Sequence, residues 1–278
     1  MAQSKLPTSG PAGGLTIGST SGPAGGRPAD GRPADGRPAL LVSGSPQGVR
    51  PALLRELVAW AGFTLALDSG AEQLTTAGLR PDLLVGDFDS LAKDRLAEFE
   101  HLGVAVERHD AYKDATDLEL GIKSLLELGY KRLIATNVLG GRNDHALGSL
   151  AALAAAASNE GVEVALRDNR EACFFIDGST SEQVLELEFP EFSSNRESAL
   201  TQPLLSEPLL PQLPLPEHIS LIAWGGSSTV SLAGTEWELN QHCLSPESAL
   251  GISNILRSPR LRLRVHQGSA TVLLFLTF

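Results

Sequence analysis

Asp87-Phe88-Asp89-Ser90 follows a short apolar run, Leu83-Leu84-Val85, and a glycine, Gly86. Two carboxylates two residues apart point the same way if the chain stays extended, so Asp87 and Asp89 can face one cation. Mg²⁺ takes hard oxygen ligands of this kind, usually one or two carboxylates together with substrate phosphates. The same residues also read as a solvated acidic turn in which Ser90 caps the next helix. A second acidic group is Lys113-Asp114-Ala115-Thr116-Asp117. Thr116 suits a helix cap and Asp117 an acidic first turn. A cap needs only one of these residues, however, and Lys113 beside them suits a phosphate contact.

Two further clusters carry chemistry. Asp68-Ser69-Gly70-Ala71 reads as a small-residue turn that lets a ligand approach the backbone, and a ribose or a metal-bound water would suit Asp68. Gly140-Gly141-Arg142-Asn143-Asp144-His145 precedes an alanine-rich helix. Paired glycines permit close phosphate approach, and a helix N-terminus offers amide donors. Arg142 can grip phosphate oxygens with both arms of its fork, and His145 suits orienting a neighbour or capping the helix. Neither a G-x-x-x-x-G-K-[ST] loop nor a strand-end G-x-G-x-x-G occurs, so a phosphate site here is built from carboxylates, metal and dispersed basic groups.

The elements that must position these residues follow from periodicity. Short apolar runs at Ala39–Val42, Phe63–Leu67, Leu83–Val85, Val104–Val106, Leu133–Ala135 and Val162–Leu166 read as strands. Helical spacing appears between them, at Leu53, Leu54, Leu57 and Val58, at Ala71–Ala77, at Leu118, Ile122, Leu125 and Leu126, and from His145 to Ala157. Alternation of this kind predicts a mainly parallel sheet covered by helices. Ligands bind beyond the carboxyl ends of such strands, where every cluster above falls. Later runs at Ile219–Trp224, Ser228–Leu232, Leu261–His266 and Ala270–Phe278 are β-like, with Gln267-Gly268-Ser269 as a hairpin turn. The expected organisation is a low-complexity tail at 1–38, an α/β domain at 39–170 and an all-β sandwich domain at 171–278 with a long loop at 190–216. The tail repeats Gly-Pro-Ala-Gly-Gly and Gly-Arg-Pro-Ala-Asp, a composition that cannot offset its ordering entropy, so it is expected to be disordered.

Composition narrows the function class. Of the 278 residues 42% are hydrophobic, which supports a sizeable core, and the formal charge of -11 argues against a nucleic-acid or anionic-membrane surface. No run approaches the roughly 20 apolar residues of a membrane span. The N-terminus carries no signal-peptide core, so an unexported, cytoplasmic protein is expected. Cys173 and Cys243 form no C-x-x-C pair, and apolar neighbours predict buried thiols for both.

Taken together, the four runs at 68–71, 86–90, 113–117 and 140–145 resemble the catalytic domain of the thiamine pyrophosphokinase family, over about residues 39–170. Gly234-Thr235-Glu236-Trp237 resembles the family strand whose aromatic residue packs on thiamine, and Gly251-Ile252-Ser253-Asn254 resembles its Ser-Asn turn. By pattern alone, Trp237 reads as core. Two departures stand out: Ser69 where glycine is common, and Thr235-Glu236 where a Leu-Lys pair is commoner. The tail and the 190–216 segment have no counterpart in the resemblance.

The resemblance implies transfer of a pyrophosphoryl group from ATP to the thiamine hydroxyl, giving AMP and thiamine diphosphate. It also implies Mg²⁺ as cofactor, held by Asp87, Asp89 and Asp117, and a homodimer. Lys113 and Arg142 would stabilise the transferred group. Asp68, Ser90, Asp114, Thr116, Gly140, Gly141 and Asp144 would serve the nucleotide and its loops. Trp237 would stack on the thiamine pyrimidine, with Ser253 and Asn254 reading its polar edge. Two other readings use the same residues. One is a metal-dependent phosphohydrolase with water as nucleophile; the other is a thiamine or nucleotide sensor without chemistry.

Overall fold

A computed structural model describes residues 36–88, 93–109, 115–192 and 207–278. Nearly all of the expected tail lies outside them, as do Asp89, Ser90, Lys113 and Asp114.

Six parallel strands form the first half: β1 (Ala39–Val42), β2 (Phe63–Leu67), β3 (Leu83–Gly86), β4 (Ala105–Arg108), β5 (Arg132–Thr136) and β6 (Glu163–Arg167). Every residue of β1, β2 and β3 is buried. Continuous apolar runs of this kind belong in a sheet covered on both faces. Helices α1 (Pro51–Trp60), α2 (Gly70–Thr76) and α3 (Lys93–His101) share one apolar cluster with Leu40, Val42, Ala66 and Leu84. Helices α4 (Asp117–Glu127) and α5 (Asn143–Ala157) cover the other face, against Leu41, Leu65, Leu83 and Val85. The spatial order is β4-β3-β2-β1-β5-β6. The chain therefore runs outward one way from β1 to β4 and returns to build β5 and β6 on the other side. The loops after β1 and β5 diverge at that reversal, which is where an open α/β sheet offers its ligand crevice.

The second half adds strands to the same sheet. β7 (Glu171–Asp177) folds back antiparallel on β6, and β13 (Thr271–Thr277) and β9 (His218–Trp224) follow it, giving nine strands in all. A four-stranded antiparallel sheet, β11 (Leu239–Leu244), β10 (Ser228–Ala233), β12 (Arg260–Gly268) and β8 (Gln183–Glu188), packs over this end. Leu261, Leu263 and Val265 turn inward, while Arg260, Arg262 and Arg264 turn outward. There they meet Glu188, Glu186 and Glu182 at 2.9, 3.0 and 3.4 Å. The α/β half with its parallel sheet and the antiparallel β-sandwich are the fold class expected.

Several details differ from expectation. Gln267-Gly268-Ser269 is not a hairpin turn, because β12 pairs with β10 and β8 whereas β13 pairs with β7 and β9. The alternating β12 suits a sheet with one wet face, and the unbroken β13 suits one buried on both. The chain accordingly crosses between sheets at 269–270. β8 and β11 escape the sequence pattern: β8 alternates only weakly and β11 is mostly polar and exposed. Part of the 190–216 segment is packed, since Leu210 and Leu213 are buried and the Leu209 carbonyl accepts from Trp60 Nε1 at 3.0 Å. Cys173 is buried as expected, but Cys243 on β11 is exposed. Among the described residues no helix is long and apolar enough to cross a membrane.

Candidate active site

Three aspartates lie at one end of the parallel sheet. Asp68 directly follows β2, Asp87 directly follows β3, and Asp117 opens α4. The Asp68 and Asp117 carboxyls are within hydrogen-bonding reach of each other, and Asp87 adds its field. Burial above all, and then Asp117, raise the Asp68 pKa to about 7, against a backbone hydrogen bond from Phe88 N–H at 3.3 Å. Local geometry enforces the contact. Asp68 and Phe88 adopt positive φ, 39° and 60°. A Cβ at Gly86 would fall 1.8 Å from Asp68 Oδ1, so only glycine lets the carboxylate lie against β3. Gly70 is equally constrained, with the Val42 carbonyl oxygen 2.2 Å from where its Cβ would stand.

Such a donor set fits a hard divalent cation. Ionised carboxylates at contact repel one another, and a cation between them restores the charged forms. Among the described residues no three His, Cys, Asp or Glu side chains are grouped so as to enclose an ion. The third expected ligand, Asp89, lies outside those residues.

Thr116 is the N-cap of α4 in a full capping box. Its hydroxyl accepts from Glu119 N–H at 3.3 Å, and the Glu119 carboxylate accepts from Thr116 N–H at 2.7 Å. That role accounts for the side chain within the structure. Gly140 and Gly141 have φ of 105° and 71°, so the loop before α5 needs glycine at both. Arg142 is the exposed N-cap of α5 and grips Asp144 with both arms, at 3.1 and 2.5 Å. This guanidinium holds the Asp144 carboxyl down at about 2.

The loop is carried by residues the sequence did not advertise. Ser45 Oγ donates to the Leu139 carbonyl at 2.6 Å, and Gln47 packs on Gly140. Buried Asn137, at φ 58°, donates from Nδ2 to the Ser43 carbonyl at 2.7 Å. Asp168, past β6, accepts from Asn137 N–H at 2.5 Å and Thr136 Oγ1 at 3.2 Å. Burial raises its pKa against those bonds. These residues tie the ends of β1, β5 and β6 into one frame. Their only sequence signal is polarity just past an apolar run.

The sandwich presents its candidates on two loops. Trp237 lies between β10 and β11 and is 59% exposed, which overturns a core reading of this residue from pattern alone. Asn254, between β11 and β12, is buried beneath it. Its Oδ1 accepts from Trp237 N–H at 3.1 Å and its Nδ2 donates to the Trp237 carbonyl at 2.7 Å. The amide is thus a clamp on the tryptophan loop. Thr235 joins it, accepting from Asn254 Nδ2 at 3.2 Å, and Glu236 pairs with Arg257. Ser253 is exposed with φ 62°, its N–H donating to Ser220 Oγ at 3.0 Å.

Fold and site define a class: an α/β protein with an acidic crevice beyond the carboxyl ends of β2 and β3, whose far edge carries an antiparallel sandwich with a presented tryptophan. Residues 54–166 match the model for the thiamin pyrophosphokinase catalytic domain, and residues 210–268 match that family's vitamin B1 binding domain. The chain belongs to the thiamin pyrophosphokinase family. The second match begins inside the 190–216 segment, so the end of that segment does have a counterpart in the family.

Thiamine pyrophosphokinase of Bacillus subtilis is 33% identical over 113 residues, 40% of this chain and 51% of the relative. Thiamine pyrophosphokinase 1 of Arabidopsis thaliana is 38% identical over 79 residues, 26% of this chain and 29% of the relative. The chain thus spans about half or less of the curated relatives it matches. The Bacillus subtilis crystal structure superposes with a TM-score of 0.66 at 21% identity, covering 87% of this chain and 99% of that one. The yeast thiamin pyrophosphokinase structure gives 0.65 at 14% identity, covering 89% and 88%. At those identities the superpositions show the shared fold.

Proposed function

We propose that this chain is a thiamine pyrophosphokinase. The thiamine hydroxyl oxygen attacks the β-phosphorus of ATP, the bond from that phosphorus to the α–β bridging oxygen breaks, and AMP leaves. Thiamine diphosphate forms and the hydroxyl proton is released. The observation that carries the reading is the grouping of Asp68 with Asp117, and of Asp87 within electrostatic reach of Asp68, beyond the carboxyl ends of β2 and β3. Phosphoryl-type transfer asks mainly for positioning and for opposite charge near the phosphate oxygens.

Asp87 and Asp117, with Asp89, would hold Mg²⁺, which when bound supplies positive charge to the triphosphate. Asp68 braces Asp117 and the Phe88 turn, acting as a positioning residue. The Gly140-Gly141 loop and the α5 N-terminus face the phosphates with backbone amides. Arg142 would exchange Asp144 for phosphate oxygens, leaving Asp144 to steer it. Lys113, Asp114, Ser90 and the Thr116 cap would complete the nucleotide side.

On the vitamin side, Trp237 would stack on the pyrimidine. Ser253 would meet its polar edge, with Asn254 contributing through the loop it clamps. Exposed Leu250, Ile252 and Trp237 on neighbouring loops suit a second copy of the chain, so that the thiamine site closes in a homodimer. Two free cysteines suit a reducing, cytoplasmic setting. The test is to incubate purified full chain with ATP, Mg²⁺ and thiamine and quantify AMP and thiamine diphosphate together. Equal amounts of both, each dependent on thiamine, are expected. AMP or ADP released without thiamine would sink the reading in favour of a hydrolase.

A further inference from the structure

A separate pocket lies at the same end of the sheet but on the far side of β5. It measures about 430 Å³ and is lined by Arg50, Arg167, Asn169, Arg170, Pro214 and Phe278. Its three arginines come from separate segments: the N-cap of α1, the end of β6 and the β6–β7 turn. Acidic residues outnumber Lys and Arg by 33 to 22 in this chain. Even so, among the described residues no carboxylate lies within the 4.0 Å ion-pair distance of any of the three. Arg132, Arg142 and Arg257 each sit on a carboxylate, as do the outward arginines of β12.

The arginines are held in place by neutral groups. Arg167 is only 6% exposed. Its Nη1 donates to the carbonyls of Asp168 and Glu171, and its guanidinium lies 4.7 Å over the Phe278 ring. Arg50 donates from Nη2 to the Asn169 carbonyl at 3.2 Å, and its N–H goes to Asn169 Oδ1 at 2.8 Å. Carbonyls and an aromatic face orient a guanidinium without cancelling its charge. The carboxylates that act on the group stand off beyond ion-pair distance, Glu56 and Asp168 from Arg167 and Glu171 from Arg170. An anion bound in direct contact would gain charge-assisted hydrogen bonds that these more distant carboxylates do not make.

We propose that this pocket is an anion site for the phosphate group of a small phosphorylated ligand, distinct from the acidic crevice. Three arginines from three segments match the several oxygens of a phosphate better than one planar carboxylate. The volume falls within the roughly 300–1,000 Å³ of small-molecule sites. Asn169 Nδ2 also donates to the Gly48 carbonyl at 2.9 Å, and Ser45 and Gln47 of the same loop support Leu139 and Gly140. The pocket and the glycine-rich loop therefore share one segment, although the site stands whether or not the crevice performs the reaction proposed above.

The test is calorimetric titration of the full chain with inorganic pyrophosphate in Mg²⁺-free buffer containing a chelator, where the acidic crevice repels anions. Wild type is expected to bind. The double variant Arg50→Gln/Arg170→Gln, which changes two exposed residues, is expected to bind about tenfold more weakly or not at all. Arg50→Lys/Arg170→Lys, which keeps the charge, should fall between. Arg142→Gln should bind as wild type does. No binding by wild type, equal binding by the glutamine double variant, or loss with Arg142→Gln alone would overturn the assignment.

Discussion

Replacing Asn254 by alanine removes one buried amide that makes four hydrogen bonds. Its Oδ1 accepts from the N–H groups of Trp237 at 3.1 Å and Ile255 at 2.9 Å. Its Nδ2 donates to the Trp237 carbonyl at 2.7 Å and to Thr235 Oγ1 at 3.2 Å. A buried polar group left without a partner costs about 1–3 kcal/mol. Trp237 is 59% exposed, so water reaches part of this turn and the full sum is not expected. A net loss of about 2–3 kcal/mol follows, which lowers Tm by roughly 5–10 °C for a chain of this size. Ser253→Ala is the control. It changes an exposed neighbour whose contact is through its backbone, and should stay within about 0.5 kcal/mol of wild type. Thermal unfolding and thiamine titration are measured on both variants. Should Asn254→Ala keep its Tm and lose only thiamine affinity, the clamp would be wrong and the side chain would be reading the ligand directly.

Other substitutions test other links. Gly86→Ala drives a methyl to within 1.8 Å of Asp68 Oδ1. It should cost about 1–3 kcal/mol of stability and, by displacing the carboxylate, roughly 100-fold in kcat; unchanged turnover would show that Asp68 need not lie against β3. Gly148→Ala meets nothing within 4 Å inside α5 and should raise stability by about 0.5–1 kcal/mol in a melt, whereas a loss would reveal a neighbour absent from the single chain. Trp237→Ala should raise the KM for thiamine roughly tenfold at unchanged Tm, because the ring is presented rather than packed. A lowered Tm with unaltered KM would return Trp237 to a structural role.

The parallel half was legible because burial on both faces leaves unbroken apolar strands such as Leu83-Leu84-Val85, and function collects just past them. Asp68 and Asp87 stand just past such runs, and the structure sets Asp117 against Asp68 with Asp87 near enough to act on it. What escaped the sequence depends on partners far apart along the chain. β8 and β11 lie at the edges of the small sheet, where one wet face and a missing neighbour blur the pattern. The turn at Gln267-Gly268-Ser269 carries hairpin residues but links strands of different sheets, a choice made by burial rather than by turn chemistry. The family resemblance gives Asn254 to the polar edge of thiamine, while its four hydrogen-bond partners form a clamp that no local motif records. Ser45, Asn137 and Asp168 act on backbone more than 30 residues away, which no local motif records.

The central claim is that the acidic crevice carries pyrophosphoryl transfer, and Asp87→Asn tests it most directly. The substitution removes one charge at nearly constant volume, so the fold should persist with an unaltered far-ultraviolet spectrum. Thiamine diphosphate formation from ATP and thiamine should fall at least about 100-fold, since the charge that holds a cation against the phosphates is lost. A folded Asp87→Asn protein that makes thiamine diphosphate at the wild-type rate would contradict the account.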